Sequence, residues 1–195
     1  MYFEIGDTYH IYNQGNNKRP IFFEDENYQF FIKKMEHHIK PYGDFICYCL
    51  MPNHFHWLFK VHRLECQLKT FSPMSKTPEK KVLLNDSIAI ALRSYSRAIN
   101  KRFDWSGSLF RGETKAKSGF IEEFITVDSK DWNKLDYIHN CFHYIHNNPL
   151  PMLANRPEEY KYSSARAYAG LSDKIICNLD LGRLLWEDYV TSLGD

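Results

Sequence analysis

Two histidines separated by one residue, His54 and His56 in the segment MPNHFHWLFKV, are the side chains best suited to chemistry. The apolar residues around them predict a β-strand, in which alternate residues point to the same face. The two imidazoles therefore project side by side, with Cβ atoms roughly 7 Å apart. Neutral imidazoles at that spacing can both reach one divalent cation. Two ligands are too few for tight binding, so a third must come from elsewhere in the chain.

Two other interpretations of this pair stay open. The histidines can be structural, with ring nitrogens hydrogen-bonded to the backbone. Alternatively, Cys47 and Cys49 alternate on the preceding strand. If all four side chains shared one face of the hairpin, they would form a tetrahedral zinc site. That arrangement would make the protein a small zinc-stabilised interaction module. Cysteine is also a common core residue, which argues against zinc.

A second polar group is predicted on a late helix, in the segment YIHNCFHYIHNNP. Residues three, four and seven apart share one side of a helix, so one stripe carries two tyrosines and two asparagines: Tyr137, Asn140, Tyr144 and Asn148. A tyrosine beside an amide on one face suits a functional site. The alternative is a packed amphipathic helix whose tyrosine hydroxyls reach solvent.

The order of the predicted elements gives the fold class. Strands are predicted at 9–14, 44–51, 54–61 and near 109–117, helices at about 24–40, 85–102, 131–147 and 181–191, and a polar loop at 62–81. This β-α-β-β-α-β order predicts an α+β, ferredoxin-like fold, with an antiparallel sheet and helices on one face. The tyrosine-bearing helix follows. We expect residues 1–150 to form the catalytic domain and residues 151–195 to form a C-terminal extension packed on it.

Composition limits the class of protein. A chain of 195 residues, 44% hydrophobic and 16% aromatic, fits one folded domain with an extension. No apolar run is long enough to span a membrane, and no signal peptide is visible. Five cysteines without a disulfide spacing predict a reduced, cytoplasmic protein. The net charge of +1 argues neither for nor against nucleic acid, although basic residues exceed acidic ones in residues 1–118.

Several motifs together resemble a known family. The segment MPNHFHWLF resembles the His-hydrophobe-His motif of the HUH endonuclease superfamily. The segments YIHNNPL and EEYKYSSARAY resemble the C-terminal signature of the REP-associated tyrosine transposases, relatives of the single-tyrosine insertion-sequence transposases. The segments YHIYNQGNNKRPIFFEDENYQFF and SLFRGETKAK resemble that family's first strand and helix and its fourth strand. The resemblance covers residues near 9 to 168.

The resemblance implies a metal-dependent endonuclease and strand transferase that acts on single-stranded or hairpin DNA through a covalent phosphotyrosine. His54 and His56 match the metal-binding pair, Asn148 matches a third ligand, and Tyr144 matches the nucleophile. Tyr137 is the second choice for the nucleophile, and the role of His146 is open. Mixed nitrogen and oxygen ligands suit Mg²⁺ or Mn²⁺. A catalytically silent hairpin-DNA-binding protein derived from a transposase is the alternative.

Basic residues near the expected site are candidates for contact with DNA phosphates. Arg111, Lys115 and Lys117 lie near the fourth strand, and Lys18 and Arg19 lie in the turn after the first strand, where the family reads DNA. Insertion-sequence relatives exchange the tyrosine helix between subunits, whereas the repeat-associated group can act as monomers. The sequence therefore leaves monomer and homodimer open.

Overall fold

The computed structural model describes residues 1–67, 81–118, 134–172 and 176–192. In chain order, its helices and strands are β1 (Thr8–Gln14), α1 (Asp25–His38), β2 (Gly43–Met51), β3 (His54–Val61), β4 (Glu65–Gln67), β5 (Lys81–Leu83), α2 (Leu84–Phe103), β6 (Lys115–Lys117), α3 (Lys134–Asn147), α4 (Ala165–Tyr168) and α5 (Leu179–Ser192).

The main sheet has four antiparallel strands in the order β2-β3-β1-β6. This is the strand order of a split β-α-β fold, in which the first and third strands of the motif lie at the centre. The predicted α+β, ferredoxin-like class is therefore confirmed. The pairing sets His56 of β3 opposite Tyr12 of β1 and opposite Cys49 of β2, so these three residues share one face of the sheet.

The larger core lies between one face of the sheet and the helices α1 and α2. Trp57 and Phe55 of β3, Phe31 of α1 and Tyr95 of α2 are almost completely buried there. Helix α1 begins with a capping box, in which Glu24 and Asn27 satisfy each other's backbone N–H groups. Because side chains alternate between the two faces of a strand, Phe55 and Trp57 of β3 point to this face, while the histidines of β3 point to the other.

Helix α3 covers the opposite face of the sheet, together with α5 and the segment that follows α3. Cys47 and Cys49 of β2 pack there against Phe142 and Ile145 of α3. The prediction of helices on one face thus holds for α1 and α2, and the tyrosine-bearing helix lies on the other. Residues after 150 are joined to β2, since Tyr160 Oη donates to the carbonyl of Leu50 at 2.8 Å.

The structure corrects two details of the predicted elements. The fourth strand is shorter than expected, because only Lys115–Lys117 pairs continuously with β1, with one isolated bridge between Gly15 and Phe110. The ends of the predicted polar loop pair as the antiparallel hairpin β4–β5. The rest of that loop, residues 68–80, lies outside the described residues, as do residues 131–133 of the last long predicted helix.

The turn after β1 requires a glycine. A Cβ atom on Gly15 would lie 2.1 Å from the carbonyl oxygen of Arg19, so no other residue fits without moving the backbone. In the same turn, Asn17 and Lys18 both have left-handed backbone conformations. This tight turn brings the residues after β1 back against β3, where the N–H of Gly15 donates to the carbonyl of Asn53.

Among the described helices, none has the length and apolar character that crossing a bilayer needs.

Candidate active site

His54 begins β3 and is held by an asparagine on each side. Its Nδ1 lies 2.6 Å from Asn53 Oδ1, and its Nε2 lies 3.1 Å from Asn148 Oδ1. The orientation of each amide follows from its other hydrogen bond, because Asn53 Nδ2 donates to the carbonyl of Lys18 and Asn148 Nδ2 donates to the carbonyl of Tyr144. Both asparagines therefore present an oxygen acceptor to the imidazole.

A neutral imidazole has one N–H, so only one of these two oxygens can receive it. Burial lowers the pKa of His54, and the hydrogen bond with Asn148 opposes that shift. The shorter contact favours the tautomer with the proton on Nδ1, which donates to Asn53. The lone pair of His54 Nε2 then faces the lone pairs of Asn148 Oδ1 at 3.1 Å. Two facing acceptors repel each other unless a cation lies between them.

His56 is buried and is paired with a third histidine, His10 of β1. His56 Nδ1 lies 2.8 Å from His10 Nε2, and the two rings stack with centroids 5.0 Å apart. Burial is the first cause that lowers the pKa of both, to about 3 for His10, and Lys117 adds to the shift of His10. Both rings are therefore neutral at pH 7. When His56 donates from Nδ1 to His10, its Nε2 retains a lone pair for a cation.

Tyr144 of α3 lies directly over this histidine pair. Its ring meets His56 edge to face at a centroid distance of 5.3 Å and meets His10 at 5.9 Å. The residue is 39% exposed, so part of it faces solvent. Burial raises the pKa of Tyr144, and a hydrogen bond with the Asn148 side chain acts in the opposite direction. The side chains of Tyr144, Asn148, His56 and His10 thus occupy one patch of the sheet face.

Tyr137 is placed differently, although it shares a stripe of α3 with Tyr144. It is 5% exposed, and its hydroxyl donates to the carbonyl of Lys117 at 2.9 Å. Burial raises its pKa far above the ordinary value, and Cys141 contributes to the shift. A buried phenol whose proton is already bonded to the backbone is a poorer nucleophile than Tyr144.

The donor set at this patch consists of nitrogen and amide oxygen. In the described residues, no group of three or more His, Cys, Asp or Glu side chains is arranged to hold a metal ion. An ion held by the histidine pair would therefore need an amide as its third ligand. Two adjacent ligand atoms, each about 2.1 Å from an octahedral ion, lie about 3.0 Å from each other. The distance between His54 Nε2 and Asn148 Oδ1 is 3.1 Å, which is close to that value.

The alternative zinc site does not form. Cys49 is the cross-strand partner of His56, as a shared face requires. However, Cys47 and Cys49 are both fully buried in the core beneath α3, beside Cys141. Burial is the main cause that raises the pKa of both thiols, and among the described residues no group of three or more His, Cys, Asp or Glu side chains is arranged to hold a metal ion. These cysteines are core residues.

Of the five predicted DNA contacts, Lys18 and Arg19 lie in the turn after β1. Lys18 is exposed, while Arg19 is half-buried because its Nη2 donates to the carbonyl of Ser108 at 2.5 Å. The carbonyl of Lys18 also accepts the hydrogen bond from Asn53 that orients the amide beside His54. One hydrogen bond therefore links this turn to Asn53, the residue that contacts His54.

The other three predicted contacts, Arg111, Lys115 and Lys117, follow the edge of the sheet. Lys117 pairs with His10 and Lys115 pairs with Tyr12, so both lysines of β6 lie on the histidine face. Arg111 precedes them and is exposed. The structure thus gathers four of the predicted residues, His54, His56, Tyr144 and Asn148, into one patch and sets basic residues along two of its sides.

His146, whose role the sequence leaves open, is part of the core. It is completely buried among Phe142, Tyr168 and Trp186, and its Nε2 lies 2.8 Å from Ser164 Oγ. Ser164 Oγ also accepts from the N–H of Tyr48 at 2.9 Å. This histidine therefore joins α3 to the segment after residue 150 and to β2.

We expect Ser164→Ala to lower the free energy of unfolding by about 1–3 kcal/mol, because it leaves the Tyr48 N–H and a buried imidazole nitrogen without partners. Urea unfolding measures the effect. Ser106→Ala, at an exposed position, is the matched control and should stay within about 0.5 kcal/mol of the parent. Equal stabilities for the two variants would contradict the linking role of Ser164.

Two residues of the patch are absent from the sequence-based prediction, His10 and Asn53. His10 lies in the strand segment YHIYNQ, and its alternation with Tyr12 was the only signal for it. Only the pairing of β1 with β3 shows that His10 lies beside His56. Asn53 lies between two predicted strands, where the sequence indicates only a connection, and its amide beside His54 Nδ1 is oriented by the turn after β1.

Comparison with known proteins supports the fold and no more. No protein-family model matches this sequence, and no curated protein is significantly similar to it. The structure is similar to a solved structure of a REP-associated tyrosine transposase bound to a REP hairpin. The TM-score is 0.57, the sequence identity is 11%, and the match covers 91% of this chain and 94% of the other. At that identity the likeness is one of fold.

Proposed function

We propose that this protein nicks and rejoins single-stranded DNA beside a hairpin, through a covalent phosphotyrosine on Tyr144. The observation that carries the proposal is the position of Tyr144: its ring lies 5.3 Å from the ring of His56, and its backbone carbonyl accepts a hydrogen bond from Asn148, which faces His54. The likeness in fold to a transposase bound to a REP hairpin supports the choice of DNA as partner. A role in DNA processing also fits a cytoplasmic protein.

His54, His56 and Asn148 would hold a divalent ion, Mg²⁺ or Mn²⁺. The case for these ligands is chemical: the neutral imidazoles of His54 and His56 lie with ring centroids 5.0 Å apart, and the amide oxygen of Asn148 lies 3.1 Å from His54 Nε2. Such an ion, when bound, neutralises negative charge on the scissile phosphate. Asn53 and His10 would keep the two imidazoles in the tautomers that leave Nε2 free.

The reaction assigned to Tyr144 is an in-line displacement at phosphorus. The phenol oxygen forms a bond to phosphorus while the bond from phosphorus to the 3′-oxygen breaks. The phenolic proton leaves Tyr144, and a proton ends on the 3′-oxygen, which gives a 5′-phosphotyrosine and a free 3′-hydroxyl. The phosphodiester energy is retained in the new bond, so attack by that or another 3′-hydroxyl reverses the step and joins the strands.

One chain supplies every residue of this mechanism. Tyr144 on α3 and Asn148, the residue that follows α3, meet His54 and His56 on β3 of the same polypeptide. A helix exchange between subunits is therefore not needed to complete the site, and we propose that a monomer is competent.

A DNA hairpin carrying a single-stranded flank tests the proposed function. In the presence of Mn²⁺ the protein should cut the flank and remain attached to the 3′-side fragment, and EDTA should prevent both. A protein that shifts the hairpin in a gel but never cuts it with Mn²⁺ would be the catalytically silent binder instead. Absence of both binding and cutting, across hairpins of different sequence, would exclude both functions.

His10 provides a test of the proposed ligand arrangement that does not depend on activity. His10→Leu removes the acceptor for His56 Nδ1–H, and we expect Mn²⁺ affinity to fall about 10–100-fold. His10→Gln retains an acceptor and should recover most of that loss. Calorimetric titration with Mn²⁺ measures the affinity, and urea unfolding shows whether each variant is folded. Equal Mn²⁺ affinity in the parent and in folded His10→Leu would contradict the positioning role.

A further inference from the structure

A basic cavity lies on the sheet face opposite the histidines, between α2 and the loop that leads into β6. Its volume is about 560 Å³, and three arginines line it: Arg93 and Arg97 on α2 and Arg111 on the loop. We call it the arginine cavity. None of the described residues that line it is acidic. Within the described part of the chain, none of the three guanidinium groups forms an ion pair. Three like charges around one concave surface favour an anionic ligand.

The loop wall of the arginine cavity is held in place by two side-chain amides, that of Asn13, which is buried, and that of Asn100, which is half-buried. Asn13 Nδ2 donates to the carbonyl of Arg111 at 3.3 Å and to Thr114 Oγ1 at 2.9 Å. Asn100 Nδ2 donates to the carbonyl of Gly107 at 2.8 Å. Since Thr114 Oγ1 accepts from Asn13, its own proton is available for an acceptor in the cavity. The wall is therefore preorganised and supplies donors beside the arginines.

The arginine cavity is connected to the histidine face around the β6 edge of the sheet. Asn13 points to the cavity side, whereas its neighbour Tyr12 points to the histidine side. From Arg111 the chain runs to Lys115 and Lys117, which pair with Tyr12 and His10 on that second side. Positive side chains thus continue from α2, around the short edge strand, to the patch that contains Tyr144.

We propose that the arginine cavity binds backbone phosphates of the same DNA whose flank reaches Tyr144, which gives a second contact region on the far side of the sheet. This inference rests on the proposed function. Phosphate oxygens accept hydrogen bonds, and paired guanidinium groups suit them in charge and in geometry. Contacts to backbone phosphates position DNA without reading its sequence. The cavity should therefore contribute equally to binding of hairpins with unrelated sequences.

The test uses the full chain carrying Tyr144→Phe, so that bound DNA is not cut, and a fluorescent hairpin with a single-stranded flank. Arg93→Ala and Arg97→Ala are added together, and affinity is measured by anisotropy from low to moderate salt without metal. We expect affinity to fall about tenfold and the slope of log K against log salt to become shallower by about 2, close to 0.9 for each lost phosphate contact. Replacing both arginines by lysine should restore most of the slope.

The matched control removes two exposed positive charges elsewhere, with Lys33→Ala and Lys40→Ala at α1 and its end. An unchanged slope in the alanine pair at 93 and 97, or an equal change in the control pair, would overturn the arginine cavity as a DNA site. So would a loss of affinity confined to one of two unrelated hairpins. If the parent Tyr144→Phe chain binds no hairpin, the proposed function itself fails, which separates the two outcomes.

Discussion

Tyr144→Phe is expected to abolish covalent capture of hairpin DNA, with a loss of at least about 1,000-fold, because the substitution removes the only oxygen that the mechanism allows to bond phosphorus. The ring and its contact with His56 remain. Since the side chain is 39% exposed, stability should stay within about 0.5 kcal/mol of the parent. DNA binding without metal should also be unchanged. The substitution therefore separates chemistry from folding and binding.

The measurement follows from the polarity of the reaction. Because phosphorus stays with the downstream fragment, DNA labelled at its 3′ end should migrate with the protein on a denaturing gel, and DNA labelled at its 5′ end should not. Tyr137→Phe is the matched control on the same helix. It removes a hydrogen bond to Lys117 and costs about 1 kcal/mol of stability, and it should still form the adduct. An adduct with Tyr144→Phe, or its loss only with Tyr137→Phe, would show that the nucleophile is misassigned.

His54→Ala is expected to reduce Mn²⁺-dependent cleavage by at least about 100-fold, since removing one of three ligands forfeits several kcal/mol of charge stabilisation at the phosphate. His54 suits this test better than His56, because it is only partly buried and its loss does not open the stacked pair with His10. Binding of the hairpin without metal should persist. Single-turnover cleavage and Mn²⁺ titration, on the same preparation, measure the two losses together.

His37→Ala is the matched control for this second substitution. It removes a histidine from α1, on the other face of the sheet, and should leave both cleavage and Mn²⁺ affinity unchanged. Cleavage by His54→Ala at the parental rate would eliminate the proposed ligand set. Retained Mn²⁺ affinity with lost cleavage would show that His54 acts on the DNA and not on the ion.

Local periodicity made much of the site predictable. In β3, the alternation of a strand puts His54 and His56 on one face and Phe55 and Trp57 on the other, whatever the strand pairs with. On α3, the helical spacing brings Tyr144 and Asn148 together in the same way. The order of the strands and helices also indicated the ferredoxin-like class, since few arrangements suit that order.

Other features lay beyond local pattern. The sequence did not indicate that the fourth strand pairs over only three residues, or that the ends of the polar loop form a hairpin. Both outcomes depend on which backbone groups a distant segment offers. The cysteines illustrate the same point, because their alternation allowed zinc, and only the packing of α3 over β2 made them core.

The sequence by itself determined which side chains can act together within one strand or one helix, because the periods of 2 and 3.6 residues are properties of the backbone alone. Only the tertiary structure decided that the tyrosine helix lies over the histidines, that His10 pairs with His56, and that Asn53 and Asn148 face His54 from two sides. The His10–His56 and His54–Asn148 contacts join residues 46 and 94 positions apart. They follow from the register of β1 on β3 and from the docking of α3, which long-range packing sets.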